Sequence, residues 1–556
     1  MSERPSDATP AEETPDTFGA YPRLDTAQIE SLAADGARRS TRAGDVLIAE
    51  GKPPLDFIVI TAGIVATYDA YGTPQQRRIG VHGPGRFLGE LGVLAGHAAF
   101  VSTVALTDGE IIAVPADRLR QRVARDTQLG DLILRAYLQR RSILIGLGSG
   151  FRIVGSRYSP DTRRLRDFAA RNRLPHRWID LDTDDDAEAL LTAIGVAAAD
   201  TPVVIWRNEN VLRNPTNAYL ARLVGLPPPL DAHNVCDLLV VGAGPAGLAA
   251  CVYGASEGLH TVAVEAIATG GQAESSPLIE NYLGFPAGLS GAELAERASI
   301  QAGKFGALVS VPAAAVGLTD DDGYHAVALD DGSQIRARTV LVATGAQYRK
   351  PDIEGLGRLE GVSVYYAATE IEARLCAGDP VAVIGGGNSA GQAALFLARH
   401  AAHVTLLVRS GDIGQDMSRY LVDQLVNHPG VAVLTHTEAR ELVGDRSLDA
   451  VVVENNQTGD RSRIDARSLF VFIGAAPGTR WLAHSVALDE HGFVQTGTDV
   501  ESPPSGSGTL LLESSRTGVF AAGDVRAGSV KRVASAVGDG AIAVRMVHER
   551  LRGEAG

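Results

Sequence analysis

The sequence predicts a multidomain chain with an N-terminal β-roll closed by helices, a small α/β unit, and two Rossmann-like, three-layer nucleotide-binding domains. Three observations carry this prediction. Short β-branched segments separated by glycine turns fill residues 21–115. Strand and helix patterns then alternate from Phe151 to Val224. Beyond Cys236, two glycine-rich strand-to-helix turns interrupt a long βα alternation.

Composition and charge narrow the class of protein. Apolar residues make up 45% of the 556-residue chain and charged residues 21%, which is typical of a folded globular protein. A net charge of -15 argues against nonspecific binding of nucleic acid or anionic membranes. Segment 238–256 is uncharged but too rich in glycine for a membrane span. The N-terminus lacks the apolar segment of a signal peptide.

Three cysteines, at positions 236, 251 and 376, form neither a disulfide framework nor a zinc knuckle. We therefore expect a reducing, cytoplasmic location and no metal site.

Changes in pattern set the bounds of the N-terminal modules. Residues 1–20 are predicted to form an acidic disordered tail, and residues 21–148 the β-roll with its closing helices. Residues 150–228 are predicted to form the small α/β unit, which ends in a stiff Pro227–Pro229 linker.

The first glycine-rich turn has the pattern of a dinucleotide-binding strand, turn and helix. Its glycines permit a tight turn, close approach of the backbone to a pyrophosphate, and close packing of helix on strand. The residues of this turn are Gly242, Gly244, Pro245, Ala246 and Gly247. The next strand ends in Glu265, about 20 residues on, where a carboxylate can accept hydrogen bonds from both ribose hydroxyls.

The second turn repeats this pattern with one substitution. Its candidate cofactor-binding residues are Gly385, Gly387, Asn388, Ser389 and Ala390. The following strand ends in Arg409 rather than in an acid, which suits a 2′-phosphate and so favours NADP over NAD. An ordinary solvated arginine is the alternative.

Over residues 235–550 the sequence resembles the low-molecular-weight thioredoxin reductase family of flavoproteins. Besides the two turns, the matching segments are Gly270–Gln272, Glu280–Tyr282, Ala343–Ala346, Gly361–Val362, Phe472–Gly474 with Pro477, and Gly518–Asp524. The resemblance implies an FAD-binding domain of residues 234–350 and 468–556. It also implies an inserted NADPH-binding domain of residues 351–467 and a homodimer.

By matching position, the resemblance assigns further cofactor-binding residues. Glu265 would bind the adenosine ribose, and Gly271 and Gln272 would lie along the FAD. Asn281 would lie near the isoalloxazine, and Asp524 would bind the ribityl or pyrophosphate region. The remaining matching positions are Thr344, Gly345, Gly474, Gly523, and the start of a helix at Arg532, Val533 and Ala534.

One departure from the family bears on the reaction. The family carries a redox-active Cys-x-x-Cys pair, whose positions fall at about Tyr366 and Thr369 here. Neither side chain can form a disulfide or act as a thiolate. We therefore name no catalytic residue, and expect electrons to pass from NADPH through FAD to a quinone, dioxygen or an iron–sulfur protein. Two alternatives stay open: a thioredoxin-disulfide reductase that uses other thiols, and a redox sensor with little turnover.

The two N-terminal modules also resemble known families. The α/β unit is similar to a thioredoxin or glutaredoxin fold, with Pro202 in the cis-proline position and Gly155–Asp161 replacing the dithiol segment. Other small α/β folds stay open. The β-roll resembles a cyclic-nucleotide-binding domain, with Gly89–Glu90 at the ribose position. Because Ala99 or Phe100 replaces the phosphate-binding arginine, we expect a degenerate dimerisation or regulatory domain.

An arginine-rich segment stands out in this acidic chain. Between Arg135 and Arg177 there are eleven arginines and two acidic residues, a local net charge of +9. A solvated helical face and a docking surface for an acidic electron-carrier protein are both open. We expect no nucleic-acid partner, since an α/β pattern follows the β-roll where DNA-binding regulators place a helix-turn-helix.

Overall fold

The computed structural model describes residues 12–53, 56–184, 187–206, 210–226, 235–274, 276, 279, 282–360, 362–366, 368, 370–482, 484–500 and 510–554. The chain forms two compact units. They are Met1–Pro228 with Ser310–Pro312, and Pro229–Val309 with Ala313–Gly556.

The first unit begins with the β-roll. Its strands are β1 (Ala37–Thr41), β2 (Val46–Ile48), β3 (Asp56–Ala62), β4 (Val65–Asp69), β5 (Arg77–His82), β6 (Phe87–Leu88), β7 (Ser102–Ala105) and β8 (Gly109–Pro115). Its helices are α1 (Thr26–Asp35), α2 (Glu90–Ala95), α3 (Ala116–Arg125) and α4 (Thr127–Gly146). The strands form two four-stranded sheets, in the orders β1-β8-β3-β6 and β2-β7-β4-β5. Helices and sheet share a core that includes Leu32, Phe57, Phe87, Leu119 and Ile133.

Residues 12–20 differ from the expected disordered tail. Thr14 N donates to the Val81 carbonyl at 3.0 Å, so this segment pairs with the end of β5. The Glu13 carboxylate lies 2.7 Å from the Arg23 guanidinium, and Ala20 is fully buried. Local acidity predicts a solvated tail, but the β-roll supplies both an arginine and a free strand edge.

The α/β unit follows. Its strands are β9 (Phe151–Val154), β10 (His176–Ile179), β11 (Val203–Trp206) and β12 (Asn210–Arg213), and its helices are α5 (Pro160–Arg171), α6 (Ala187–Ala193) and α7 (Asn217–Val224). The sheet order is β10-β9-β11-β12. β9 and β10 are parallel, whereas β11 is antiparallel to both β9 and β12. The Thr201–Pro202 peptide is cis, as the resemblance to a thioredoxin fold implies.

The β-roll and the α/β unit share a hydrophobic core. Phe100, on the β-roll, stacks on Trp206 of β11 with ring centroids 6.0 Å apart and planes 4° apart. Ala98 N donates to the Val224 carbonyl at 2.9 Å, at the end of α7. The expected boundary near residue 149 therefore separates two patterns in the sequence but not two independent cores.

The second unit opens with a three-layer domain. Its first elements are β13 (Val235–Val241), β14 (Thr261–Val264), β15 (Leu308–Ser310), β16 (Ala315–Asp321), β17 (Tyr324–Leu329), β18 (Gln334–Val342), α8 (Pro245–Ser256), α9 (Gly271–Glu274) and α10 (Gly291–Lys304). The sheet order is β15-β14-β13-β18-β17-β16. Alternate residues of β13 enter different cores, Leu238 and Val240 on one face and Leu239 and Val241 on the other. Segment 238–256 is thus a strand, a turn and a helix.

An inserted domain interrupts this first domain. It comprises β19 (Ala346–Tyr348), α11 (Leu356–Leu359), β20 (Val364–Tyr365), α12 (Glu370–Leu375), β21 (Pro380–Ile384), α13 (Asn388–Leu397), β22 (His403–Leu407), α14 (Arg419–Asn427), β23 (Val431–Leu434), β24 (Thr437–Val443), β25 (Ala450–Asn455), β26 (Arg461–Asp465), β27 (Ser468–Val471) and β28 (Ala475–Pro477). The parallel sheet has the order β20-β27-β21-β22-β23, and β24-β25-β26 form a separate sheet. Because β27 pairs with β21, the inserted domain extends beyond the expected residue 467.

The chain then returns to the first domain of this unit. β29 (Val519–Ala521) joins its sheet parallel to β18. The long C-terminal helix α15 (Val533–Glu554) packs on α8. At Gly540 a Cβ would lie 2.2 Å from the Ala246 carbonyl oxygen, so this contact requires glycine. Among the described residues, no helix is long and apolar enough to cross a membrane.

Candidate functional site

The first glycine-rich turn is packed too tightly for larger residues. Gly242 has φ +105°, and a Cβ there would lie 2.4 Å from the Ala343 carbonyl oxygen. A Cβ at Gly247 would lie only 1.9 Å from the Gly242 carbonyl oxygen, which locks the start of α8 against the strand. Gly244 meets only the Gly271 backbone, at 3.8 Å, so that side of the turn remains accessible to a ligand.

The helices that follow the two glycine turns both begin without a side-chain cap. Gly244 is the N-cap of α8 and Gly387 the N-cap of α13, and neither supplies a capping hydrogen bond from a side chain. Elsewhere Ser159 caps α5 and Ser290 caps α10 in the usual way. First-turn N–H groups without a cap can receive an anion, and the helix dipole favours negative charge there.

Glu265, Gly271 and Gln272 lie around the first turn. The Glu265 carboxylate accepts from Ala243 N at 2.9 Å and Ile267 N at 3.0 Å, which fixes it beside the turn. Gly271 has φ +57°, and a Cβ there would lie 3.0 Å from Gly244 Cα. Gln272 Nε2 donates to the Ala346 carbonyl at 3.1 Å. The structure thus brings these residues together at the carboxyl end of β13 and β14.

The C-terminal segment reaches the same place. A Cβ at Gly523 would lie 3.0 Å from Ala246 Cβ, so this segment contacts α8 directly. Burial raises the pKa of the neighbouring Asp524, and Asp539 adds to that effect while Lys531 opposes it. A half-buried carboxyl with a raised pKa suits a partner that donates hydrogen bonds, such as a polyol.

The observed start of α15 agrees with the helix start predicted from the sequence. The helix begins at Val533, with Arg532 and Ala534 exposed beside it. Asp539, which the sequence did not single out, accepts from Gly523 N at 3.1 Å and thereby ties α15 to the Asp524 turn. Its signal in the sequence is an acid inside an otherwise apolar helix segment.

Thr344, Gly345 and Gly474 lie where the two domains of this unit connect. Thr344 Oγ1 is buried and has no hydrogen-bond partner among the described residues. Gly345 O accepts from Gly478 N at 3.0 Å, and Gly474 O accepts from Arg349 N at 2.9 Å. An orphaned buried hydroxyl and open space around Gly345 and Gly474 fit a polar ligand at this position.

The second glycine turn has the same construction in the inserted domain. Gly385 has φ +148°, and its Cβ would lie 2.4 Å from the Phe472 carbonyl oxygen and 2.9 Å from Ala390 Cβ. Asn388 Oδ1 accepts from Ser418 N at 2.7 Å, while Ser389 is exposed. Asn388 therefore positions the neighbouring loop, and Ser389 faces solvent.

Arg409 follows the end of β22 and is exposed. Its carbonyl accepts from Asn456 Nδ2 at 3.0 Å. Within the described part of the chain, its guanidinium takes part in no hydrogen bond or ion pair. His436 lies close to this position, although the sequence did not single it out: its Nε2 would lie 2.5 Å from a Cβ at Gly411, two residues beyond Arg409. The feature of the sequence that could have indicated a close neighbour here is Gly411 itself.

The three cysteines cannot form a redox pair. All are buried and free. Burial raises the pKa of Cys236 and Cys251 to about 12 and that of Cys376 to about 11. Each thiol therefore stays protonated at neutral pH, and a protonated thiol is a poor nucleophile.

Tyr366 lies at the first position of the family's dithiol. The side chain is half-buried, and burial together with Glu360 raises its pKa. Lys350 Nζ lies 2.6 Å from Glu360 Oε1 and 5.9 Å from the Tyr366 ring centroid. A neutral phenol beside an ion pair replaces the thiol. Thr369 and Asn281 lie outside the described residues.

The second unit has two glycine-rich turns suited to nucleotides, and its chain returns to the first domain after the inserted one. The sequence model of the pyridine nucleotide-disulphide oxidoreductase family matches residues 236–540. The chain belongs to this family. A second model, the cyclic nucleotide-binding domain, matches residues 38–126. The pyridine nucleotide-disulphide oxidoreductases use FAD and NAD(P)H, and the glycine turns, uncapped helices and orphaned Thr344 hydroxyl fit such cofactors.

Relatives cover the C-terminal part of this family member. A "34.2 kDa protein in rubredoxin operon" of Clostridium pasteurianum is 31% identical over 57% of this chain and 98% of its own length. Thioredoxin reductase of Peptoclostridium acidaminophilum is 32% identical over 56% of this chain and 95% of its own. The crystal structure of Lactococcus lactis thioredoxin reductase, 25% identical, covers 57% of this chain and 99% of its own with a TM-score of 0.52.

The arginine-rich segment is less exposed than its sequence suggests. Arg140 and Arg141 are buried, and Arg141 donates to the carbonyls of Asn172 and Arg173. Arg164 is held by Asp161 and by neighbouring carbonyl and amide groups, with its Nε 3.2 Å from the carboxylate. Several of these charges therefore stabilise the first unit.

Proposed function

We propose that this protein is an NADPH-dependent flavoprotein oxidoreductase whose acceptor is not a disulfide reduced at a local dithiol. The family supplies the oxidoreductase class. The state of the cysteines carries the proposal, since all three are buried, unpaired and protonated. When bound, FAD and NADPH supply the hydride and electron transfer.

The protein's own residues bind and orient these cofactors. The first turn and the N-terminus of α8 would hold the FAD pyrophosphate, Glu265 the adenosine ribose, and Asp524 the ribityl chain or pyrophosphate. The second turn and α13 would hold the NADPH pyrophosphate. Arg409, with its free guanidinium in the described structure, would bind the 2′-phosphate.

The candidate acceptors are a quinone, dioxygen or an iron–sulfur protein. The name of the Clostridium pasteurianum relative ties it to a rubredoxin operon, and we therefore include rubredoxin among the acceptors to test. An acidic carrier protein would meet the arginines of the first unit that remain half-exposed, such as Arg163.

The remaining modules support a regulatory or docking role. We assign the α/β unit a thioredoxin-like fold on its sheet order and cis-Pro202. Ser159, within the segment that replaces the dithiol, caps α5, so a hydroxyl occupies the helix N-terminus, where a helix can lower the pKa of a thiol. We further propose a homodimer and a cytoplasmic location, with domain bounds as predicted except at β27 and at residues 12–20, which pack on the β-roll.

Anaerobic titration with NADPH tests this proposal. We expect the purified protein to carry FAD, to lose its yellow colour on addition of NADPH, and to regain it with one of the named acceptors. Thioredoxin turnover that stops on replacement of Cys376 would instead establish disulfide reductase activity. Absence of bleaching would refute both enzymes and leave the redox sensor.

A further inference from the structure

A cavity of about 70 Å³ lies inside the β-roll. Most of its wall is apolar and comes from Ile48, Ile79, Leu88, Leu91, Phe100, Ile143 and Leu144. The polar side chains that reach it include Thr67, His82, Glu90, Thr103 and Arg140. Both sheets, α2 and α4 therefore contribute to this cavity.

The charges at the cavity are already balanced. Arg140 Nη1 lies 2.8 Å from Glu90 Oε2, and the side chains are 6% and 2% exposed. The same guanidinium donates to the carbonyls of Ala20 and Phe87. Glu90 occupies the position at which the sequence predicts contact with a ribose, but in the structure Arg140 of α4 pairs with it.

Apart from Glu90 Oε2, which has its ion pair with Arg140 but no hydrogen bond, two polar atoms of side chains that line the cavity have no partner among the described residues. Arg140 Nη2 and His82 Nδ1 are buried without a hydrogen bond to any described residue. His82 Nε2 lies 3.1 Å from Thr67 Oγ1, so only the Nδ1 side of its ring is unmatched. Both groups flank Tyr21: its ring lies 5.3 Å from the His82 ring centroid and 5.3 Å from the Arg140 guanidinium carbon. Unmatched buried polar atoms are unfavourable, so a ligand oxygen that pairs with them would bind favourably.

The electrostatics favour a neutral ligand. Burial, together with Arg140 and Arg86, lowers the pKa of His82 well below its ordinary value, so its ring is uncharged. An anion in the cavity would lie near the Glu90 carboxylate, and the positive charge of Arg140 is already paired with that carboxylate. Phe100, near the expected phosphate position, is committed to the shared core with Trp206. A cyclic phosphate would therefore be buried without a cation of its own.

The size of the cavity limits the ligand further. An engineered dry cavity of about 150 Å³ holds the six carbons of benzene, so in proportion about 70 Å³ corresponds to roughly three non-hydrogen atoms, one fewer than in acetone, the smallest ketone. We propose that this cavity binds a small neutral organic molecule, or the end of one, that presents a carbonyl or hydroxyl oxygen to Arg140 and His82. It does not bind cyclic nucleotides.

Saturation-transfer NMR on the full-length protein tests this proposal with acetone as the probe. Acetate has the same number of non-hydrogen atoms and carries a charge, so it serves as the matched probe. Ala99 lines the cavity, and Ala99→Phe would fill it; Ala62→Phe, at an exposed site at the end of β3, is the matched control. We expect a signal from acetone in the wild type and in Ala62→Phe, at least fivefold weaker in Ala99→Phe, and none from acetate.

Three results would overturn the proposal. They are an equal acetone signal in Ala99→Phe, a signal from acetate as strong as that from acetone, and loss of the acetone signal on addition of cAMP. Should Ala99→Phe fail to fold, His82→Phe keeps the ring against Tyr21 and removes Nδ1. An undiminished acetone signal in folded His82→Phe would also count against the proposal.

Discussion

Replacing Arg409 with alanine should reduce the preference for NADPH over NADH. The side chain is exposed and its guanidinium is unengaged among the described residues, so its removal leaves no buried partner unpaired. A hydrogen bond to a charged group contributes about 1.5–3 kcal/mol, or roughly 10- to 150-fold. Because solvent screens an exposed contact, we expect the lower end, about 10-fold.

Anaerobic stopped-flow measurement of flavin reduction gives this ratio without an acceptor. The rate constants with NADPH and NADH are compared for wild type, Arg409→Ala and Arg399→Ala. Arg399 is exposed just beyond the C-terminal end of α13, about 15 Å from its N-terminal cradle for a ten-residue helix, and serves as the control. An unchanged NADPH-to-NADH ratio in Arg409→Ala, or an equal fall in Arg399→Ala, would refute the assignment.

Three further predictions concern the FAD site and the first unit. Gly247→Ala places a Cβ 1.9 Å from the Gly242 carbonyl oxygen, so we expect about 1–3 kcal/mol of destabilisation and a lower flavin-to-protein absorbance ratio; normal flavin content would contradict the tight turn. Asp524→Asn should stabilise the FAD-free protein at pH 7, because the raised pKa of Asp524 means that folding disfavours its ionised carboxyl. The same change should weaken FAD binding. Calorimetry measures the stability and flavin titration the affinity, and an unchanged FAD affinity would refute the assignment of Asp524 to the FAD site. Burial lowers the pKa of His97 from 6.5 to about 3. The free energy of unfolding should therefore fall by about 2 kcal/mol between pH 7 and pH 5, because only the unfolded chain takes up the proton of this group. Urea unfolding should show a smaller fall over this pH range in His97→Phe.

Much of the second unit was predictable because glycine spacing encodes backbone geometry directly. At Gly242, Gly247 and Gly385 a Cβ would lie 2.4 Å or less from a carbonyl oxygen, so only glycine fits there. The spacing of these glycines therefore reveals both turns in the sequence. The strand that follows each turn could be located in the same way, and with it Glu265 and Arg409. Both residues lie where the βα pattern predicts.

Long-range packing was not predictable in the same way. Ala99 or Phe100 stands where an arginine was expected, and Phe100 stacks on Trp206, about a hundred residues away in the sequence; no local pattern reveals that partner. Glu90 likewise matches a binding motif, yet Arg140 of α4 neutralises it. Asp539 acts through a backbone N–H of Gly523, which only the fold brings near.

Replacement of all three cysteines tests the central claim most directly. Cys236, Cys251 and Cys376 are changed together to alanine, and flavin content and the thermal melting temperature verify that the variant folds. The NADPH-dependent turnover of this variant is then measured with the acceptor that reoxidises the wild type. We predict turnover within about twofold of wild type, since buried protonated thiols take no part in the reaction. Loss of turnover in a folded, FAD-containing variant would contradict direct transfer from the flavin.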